Sequence, residues 1–214
     1  MRFIYIIMLT FSVVMNGMAD TRKPSQEEAR ELFDKVYNMV FGPEGSSLSY
    51  SVNIIGLYKT QGHVVYKDKK ICYEEKRFCA YEDGKVAYMV DKEKKKVDIH
   101  DYDDDSKDKY LSMFKYDVNN FAYSYKDKGE HYELTAKVKN SKFFGIRSVS
   151  ALIRKSNLHP VSLSIKLAFI TTTVQINNFR SGNIDESVFN FPKNRFADYK
   201  VVDHRGEGKV KREK

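Results

Sequence analysis

Hydrophobic and polar residues alternate along most of this chain, and the alternation has a period of two. Between Gly62 and His100, Val86, Tyr88 and Val90 alternate with Lys85, Ala87 and Met89, the spacing at which side chains leave a strand on opposite faces. Asp83-Gly84 marks the turn before that strand, with Gly supplying positive φ. With residues 74 to 77 as a four-residue hairpin loop, Cys72 falls opposite Cys79, Tyr73 opposite Phe78 and Ile71 opposite Ala80. Both cysteines then share one face. Leu48, Tyr50, Val52, Ile54 and Tyr58 keep one parity. So do Tyr132, Leu134, Ala136 and Val138, then Val149, Ala151 and Ile153, then Val161, Leu163, Ile165, Leu167 and Phe169, then Thr172, Val174 and Ile176. The opposite parity holds mainly Ser, Thr, Lys, Glu and Gln.

Two breaks in this pattern predict helices. Ser25 at an N-cap with Glu28 three residues on forms a capping box, and Ala29, Leu32, Phe33, Val36, Tyr37 and Val40 follow at helical spacing until Gly42-Pro43 ends the run. Residues 107 to 114 predict a short second helix, with acidic residues before it and Tyr110, Leu111, Met113 and Phe114 as apolar contacts. Roughly ten strands with turn signals between them fit a sandwich, a barrel or a partly closed barrel. The one-sided pattern favours a single curved sheet, mainly β with a few helices, whose concave face the helices cover. The first helix either packs on a core or plugs one mouth of that sheet.

Residues 1 to 19 change the picture from a fold to a compartment. Arg2, an apolar run from Phe3 to Val14 and the small residues of Gly17-Met18-Ala19 read as a secretory signal cleaved after Ala19. No Cys follows it, so no lipid anchor is expected there. Residues 20 to 205 then form one exported soluble domain, and residues 206 to 214, with four basic and two acidic residues, a disordered basic tail. The formal charge of +8 is interleaved with Asp and Glu along solvated strand faces and is not gathered into a nucleic-acid-binding stripe. Export also removes the usual nucleic-acid partners. Two cysteines in an exported protein fit a Cys72–Cys79 disulfide, and two free, semi-buried thiols are the alternative.

Candidate chemistry is sparse. His63, His100, His131, His159 and His204 lack the paired spacing of metal ligands. Asp101, Asp103 and Asp105 start like a calcium loop, but Ser106 and Ser112 stand where Gly and Glu are needed. The chain carries no phosphate loop and no nucleophile elbow. Glu74-Glu75 and Asp103-Asp104 read as adjacent charges in turns. This argues against an enzyme and leaves binding of an apolar or peptidic ligand.

The order of these parts resembles the periplasmic outer-membrane lipoprotein carrier family, LolA-like. The resemblance runs over about residues 25 to 205. It rests on the capped helix, the strands of residues 48 to 58, and Gly62-His63-Val64-Val65-Tyr66-Lys67 and Ile71-Cys72-Tyr73-Glu74 as second and third strands. It continues through the Asp83-Gly84-Lys85 turn with the aromatic strand after it, then Phe189-Asn190-Phe191-Pro192 and residues 199 to 205. It implies an unclosed antiparallel β-barrel, a half-barrel with helices covering the concave face, and no cofactor, metal or catalysis. It implies a periplasmic monomer that carries acylated lipoproteins from a releasing transporter in the inner membrane to the outer membrane, to a receptor where one exists. The acyl cavity would be lined by Tyr50, Val52, Ile54, Val86, Tyr88, Leu134, Leu163, Ile165 and Val174, a set that serves equally as plain core. Leu32, Phe33, Val36, Met113 and Phe114 would form the helical lid. Asp68-Lys69 stands where the family has a gating Arg-Pro, and Tyr66, Tyr73 and Tyr88 replace its tryptophans. A sensor or adaptor of the same fold, reading lipid or lipoprotein without carrying it, is the alternative.

Overall fold

The computed structural model of the protein describes residues 24–54, 58–102, 120–139, 146–168 and 170–206. Helix α1 spans Gln26–Phe41, and its capping box forms as the sequence predicts. The Glu28 amide donates to Ser25 Oγ at 3.1 Å and the Ser25 amide donates to Glu28 Oε2 at 2.6 Å, satisfying two of the donors that a helix start leaves over. Twelve strands follow among the described residues: β1 Ser46–Ile54, β2 Tyr58–Lys67, β3 Lys70–Glu75, β4 Phe78–Glu82, β5 Val86–Asp91, β6 Lys96–Asp101, β7 Phe121–Lys128, β8 His131–Val138, β9 Ile146–Arg154, β10 Pro160–Leu167, β11 Ile170–Ser181 and β12 Lys200–Asp203. The single-parity run from Leu48 to Tyr58 is therefore two strands, folded back so that Ile54 pairs with Tyr58.

All twelve strands join one unclosed sheet in the order β12-β6-β5-β4-β3-β2-β1-β11-β10-β9-β8-β7. Neighbours are antiparallel except β12, which lies parallel to β6. The tight turns are held by aspartates, whose short carboxylates mimic a turn carbonyl. Asp83 Oδ1 accepts from the amides of Lys85 and Val86, both at 2.8 Å, while Gly84 takes φ +87°. Asp91 and Asp127 do the same for the next turns.

Contacts of α1 dictate curvature. Its first turns meet β7 and β8, where Ala29 packs with Tyr123 and Ala136. Its last turn meets β2, where Phe41 lies 4.9 Å from Tyr66. From residue 29 to 41 a helix advances about 18 Å, whereas the six strand spacings from β2 to β7 in a flat sheet would span about 29 Å. The sheet therefore curls around the helix, and the helix side is concave.

Two cores occupy opposite faces of this sheet. On the concave side Val36 and Val40 pack with Leu134 and Ile153, flanked by Leu32, Tyr66, Tyr125, Tyr132 and Phe179. On the convex side Cys79, Tyr81, Val90 and Val97 pack with Phe196, joined by Cys72, Tyr88, Ile99, Phe191 and Tyr199. The C-terminal segment supplies that second cover through two 3-10 turns, Glu186–Phe189 and Lys193–Phe196. Phe191 stacks on Tyr88 at 4.3 Å with 4° between the rings. Arg195 and Lys92 both pair with Glu74.

This layout corrects two expectations. Tyr88 pairs with Tyr81, which pairs with Cys72, so Val86 and Tyr88 lie on the convex face and not in the concave set. Their parity had been joined to that of β1 and β8 by sequence alone, which does not fix the register between strands. The β3–β4 hairpin also closes over Lys76 and Arg77 only, two residues and not four. Cys72 faces Tyr81 and Cys79 faces Glu74, so the cysteines share a face, as expected, but sit diagonally. Both are free thiols, where the sequence favoured a disulfide between directly opposed partners. The physical reason is Glu75, which extends β3 because its carboxylate finds hydroxyl partners on the concave side.

Candidate functional site

Cross-strand pairing assembles an apolar floor on the concave face. Val52 of β1 pairs with Val174 of β11, Val174 with Leu163 of β10, Leu163 with Ala151 of β9, and Ala151 with Leu134 of β8. One row further on, Ile165 pairs with Thr172 and Val149. Partners in a ladder share a face, so these pairings carry the face of Leu134 across five strands. Six of the predicted lining residues are thereby brought together: Tyr50, Val52, Leu134, Leu163, Ile165 and Val174. They are not equivalent. Leu134 is 2% exposed beneath the helix and belongs to the core, whereas Tyr50, Val52, Leu163, Ile165 and Val174 are half-buried. Ile54 ends β1, and its side chain, like Met113 and Phe114 of the expected lid, lies outside the described residues.

Helix α1 contributes a wall. Val36 and Leu32 pack into the concave core, as expected, and Phe33 packs on Tyr123 at 5.2 Å. Phe33, Tyr37 and Phe41 recur every fourth residue and touch in sequence, at 6.2 and then 4.9 Å. Tyr37 and Phe41 remain 41% and 39% exposed, an aromatic flank that burial in the core has not used up. Phe41 continues it onto Tyr66, whose hydroxyl pKa burial pushes up to about 12, with Tyr50 and Glu82 adding to the rise.

A polar cluster borders the floor where the sequence predicted a charged turn. Tyr50 stands opposite Gly62, and a Cβ at Gly62 would lie 2.7 Å from the Tyr50 hydroxyl and 2.9 Å from its ring. Glycine is needed there because the ring leans across that position to reach β3. Tyr50 stacks with Tyr73 at 6.2 Å and 13°, and its hydroxyl donates to that of Tyr73 at 3.0 Å. Glu75 Oε2 accepts from Thr60 Oγ1 at 2.7 Å and is 3.4 Å from the Tyr50 hydroxyl. Glu75 is 5% exposed. Burial raises the Tyr73 pKa, and the hydrogen bond with Tyr50 adds to it. Thr60, Tyr73 and Glu75 are the residues sequence reasoning missed. Thr60 and Tyr73 could have been found by extending strand parity through β2 and β3. Glu75 could not be placed without the loop length.

Among the described residues no group of three or more His, Cys, Asp or Glu side chains converges as metal ligands, and no helix is long and apolar enough to cross a membrane. The site can offer apolar surface, aromatic faces and one hydroxyl-ringed carboxylate.

No family model matches the chain, and no curated protein matches it. Among solved structures it is similar to a domain from Vibrio parahaemolyticus described as an outer membrane lipoprotein-sorting protein, with TM-score 0.42, 9% identity and coverage of 80% of this chain and 99% of that one. It is similar to a LolA superfamily protein from Nitrosomonas europaea, with TM-score 0.40, 7% identity and coverage of 76% and 97%. It is also similar to a DUF1329 family protein from Desulfovibrio piger, with TM-score 0.38, 11% identity and coverage of 76% and 97%.

Proposed function

We propose that this protein is an exported carrier that shelters the acyl chains of lipoproteins on its concave face and hands them from the inner to the outer membrane. The observation that carries the reading is the floor of Val52, Leu163, Ile165 and Val174. These four apolar side chains are held on one face by strand pairing, half-buried and turned to the same side as the aromatic flank of α1. A contiguous row of apolar side chains left partly exposed on one face of a curved sheet is a patch suited to an apolar partner. Each buried methylene of an acyl chain contributes about 0.8 kcal/mol, so partial cover of one chain supplies enough binding to keep it out of water. Release needs that hold to stay modest, which an unclosed sheet allows. The collinear sequence resemblance supports acylated lipoproteins as the cargo, residues 1 to 19 as the export signal, and a releasing transporter and an outer-membrane receptor as partners.

The test is mass spectrometry of lipid and lipopeptide retained on the full chain purified from the periplasm of its own host. Retained acylated peptide is expected, and Ile165→Asp, checked for folding by circular dichroism, should lose it. A folded variant with unchanged lipid content would overturn the placement of the site.

A further inference from the structure

We propose that the convex face of strands β7 to β10 is a docking surface for a membrane of anionic phospholipids. The proposal goes beyond the carrier reading and uses the face opposite the floor. Basic and acidic residues are interleaved along the chain, but strand pairing sorts them. Leu134 and Ala136 face the concave core, so their neighbours Thr135 and Lys137 face outward. Ladder partners carry that outward face across the sheet. One row reads Lys166, Ser148, Lys137 and Ala122 from β10 to β7. The next reads Ser164, Ser150, Thr135 and Ser124, hydroxyls throughout. Beyond it come Ser162, Leu152, Glu133 and Lys126, and then Arg154, His131 and Lys128. These rows hold five Lys and Arg side chains, all exposed, and one acid, Glu133. Glu133 stands opposite Lys126 and 3.7 Å from Lys128. Lys137 and Lys166 stand opposite Ser148, Ala122 and Thr171, none of them acidic.

The convex side of β3 to β6 differs. It lies under Phe191 and Phe196, and the bases Arg195 and Lys92 are matched there by Glu74. Positive charge in excess of acid is therefore gathered at β7 to β10. The hydroxyl row between the cations suits phosphate. Thr135 Oγ1 lies 2.9 Å from Ser150 Oγ, and one such bond uses one O–H and leaves the other to donate outward. Phosphate oxygens accept from hydroxyls and, more strongly, from ammonium and guanidinium groups. From Lys137 to His131, the partner of Arg154, the face runs six residues along β8, about 20 Å. A single bound phosphate would engage only part of that span, whereas a surface bearing many engages all of it. The four rows carry no Phe, Tyr or Trp, so nucleic-acid bases would find no ring to stack on. A bilayer rich in anionic lipid attracts Lys and Arg held within a Debye length of its surface.

Flotation of the protein, purified from its own host, with vesicles tests this. Vesicles of phosphatidylcholine alone are compared with vesicles that also contain phosphatidylglycerol. Partition into the anionic vesicles is expected to be about tenfold stronger at low salt and to fall toward the neutral value as salt is raised. Lys137→Gln combined with Lys166→Gln should remove most of that preference, with circular dichroism and melting temperature unchanged because both residues are exposed. Lys85→Gln combined with Lys200→Gln removes the same charge from exposed positions elsewhere and should keep the preference. The basic tail is present in every protein and cancels from the comparison. Equal partition into the two kinds of vesicle, or equal losses in the two double variants, would overturn the docking surface. So would binding of a DNA duplex as tight as that of anionic vesicles and lost in the same variant, which would make the face a reader of polyanions at large. None of these outcomes touches the acyl floor, whose retained lipid is measured separately.

Discussion

Gly62→Ala is the smallest change that should report on the concave site. The added methyl would sit 2.6 Å from the Glu74 carbonyl oxygen, 2.7 Å from the Tyr50 hydroxyl and 2.9 Å from the Tyr50 ring. The carbonyl belongs to β3, in the ladder that pairs Gly62 with Glu75, so it cannot retreat without loosening that ladder. Tyr50 can retreat, but only by leaving Tyr73 and Glu75. Overpacking of this kind costs about 1 to 3 kcal/mol, and a lost hydrogen bond adds about 1 kcal/mol. Against this, alanine restricts the unfolded chain and returns about 0.4 to 1 kcal/mol. The net expectation is a loss of roughly 1 to 3 kcal/mol, or a fall in melting temperature of about 2 to 12 °C for a chain of this length. Urea unfolding followed by circular dichroism measures it. Repeating the substitution in a Tyr50→Leu background should recover part of the cost, because one of the two clashes is gone. A Gly62→Ala protein as stable as the parent, or an equal cost in both backgrounds, would refute the claim that Tyr50 is laid across this glycine.

Other predictions concern the convex face. Phe196→Ala empties a position that is 4% exposed and should cost about 3 to 5 kcal/mol, measured by thermal unfolding, with earlier proteolytic cleavage near residue 190. Arg195→Gln should cost well under 1 kcal/mol despite its contacts, because both partners of its pair with Glu74 are more than a third exposed; a larger loss in urea unfolding would contradict this. The Glu74 carboxyl is held below its ordinary 4.5 by the hydrogen bond from Arg195, against burial, with Lys92 assisting. Its contribution is therefore complete above pH 4.5 and is lost as pH falls through the lower, folded value. Limited proteolysis across pH 5 to 3 should show the C-terminal segment loosening on the acid side and not the alkaline side. Burial pushes the Cys72 thiol up to about 11 and also raises Cys79. Both should alkylate at pH 8 more slowly than in the unfolded chain, and equal rates would contradict their packing.

Local structure was legible in this sequence because each local signal has a local cause. The capping box at Ser25 and Glu28, the Asp83-Gly84 turn and the parity of β1, β8, β10 and β11 depend on residues within a turn or a strand of each other. The concave floor was legible for the same reason: five half-buried members, Tyr50, Val52, Leu163, Ile165 and Val174, were found by alternation alone. What failed was the phase between strands. Moving the β3–β4 turn from four residues to two keeps every residue on its face but slides the partners, which separates Cys72 from Cys79 and turns Glu75 from a loop residue into a buried one. Val86 and Tyr88 were assigned to the wrong face because either face of β5 could have been the concave one. The C-terminal aromatics decide it, and Phe191 and Phe196 are more than a hundred residues away in sequence.

If the proposed carrier function holds, that distant cover has a mechanical consequence. A protein that shelters a ligand on one face of a sheet risks losing its core each time the ligand leaves. Here Cys79, Tyr81, Val90 and Val97 of β4 to β6 pack on the convex side with Phe196, joined by Cys72, Tyr88, Ile99 and Phe191, so these strands draw that part of their stability from the face opposite the floor. The concave core beneath α1 is likewise complete without a ligand, with Leu134 and Ile153 at 2% and 0% exposure. The row of Val52, Leu163, Ile165 and Val174 is left partly open, so on the carrier reading departure of an acyl chain returns that row to water and leaves both cores covered. Substitutions on the convex core should therefore shift unfolding without altering ligand preference. Polar substitutions on the floor should alter ligand retention with stability changes near or below 1 kcal/mol, as expected for half-exposed positions that fill no closed cavity. A floor variant such as Leu163→Ser that unfolded the protein would mean that the row is core after all, and the separation between what holds the fold and what holds the ligand would not exist.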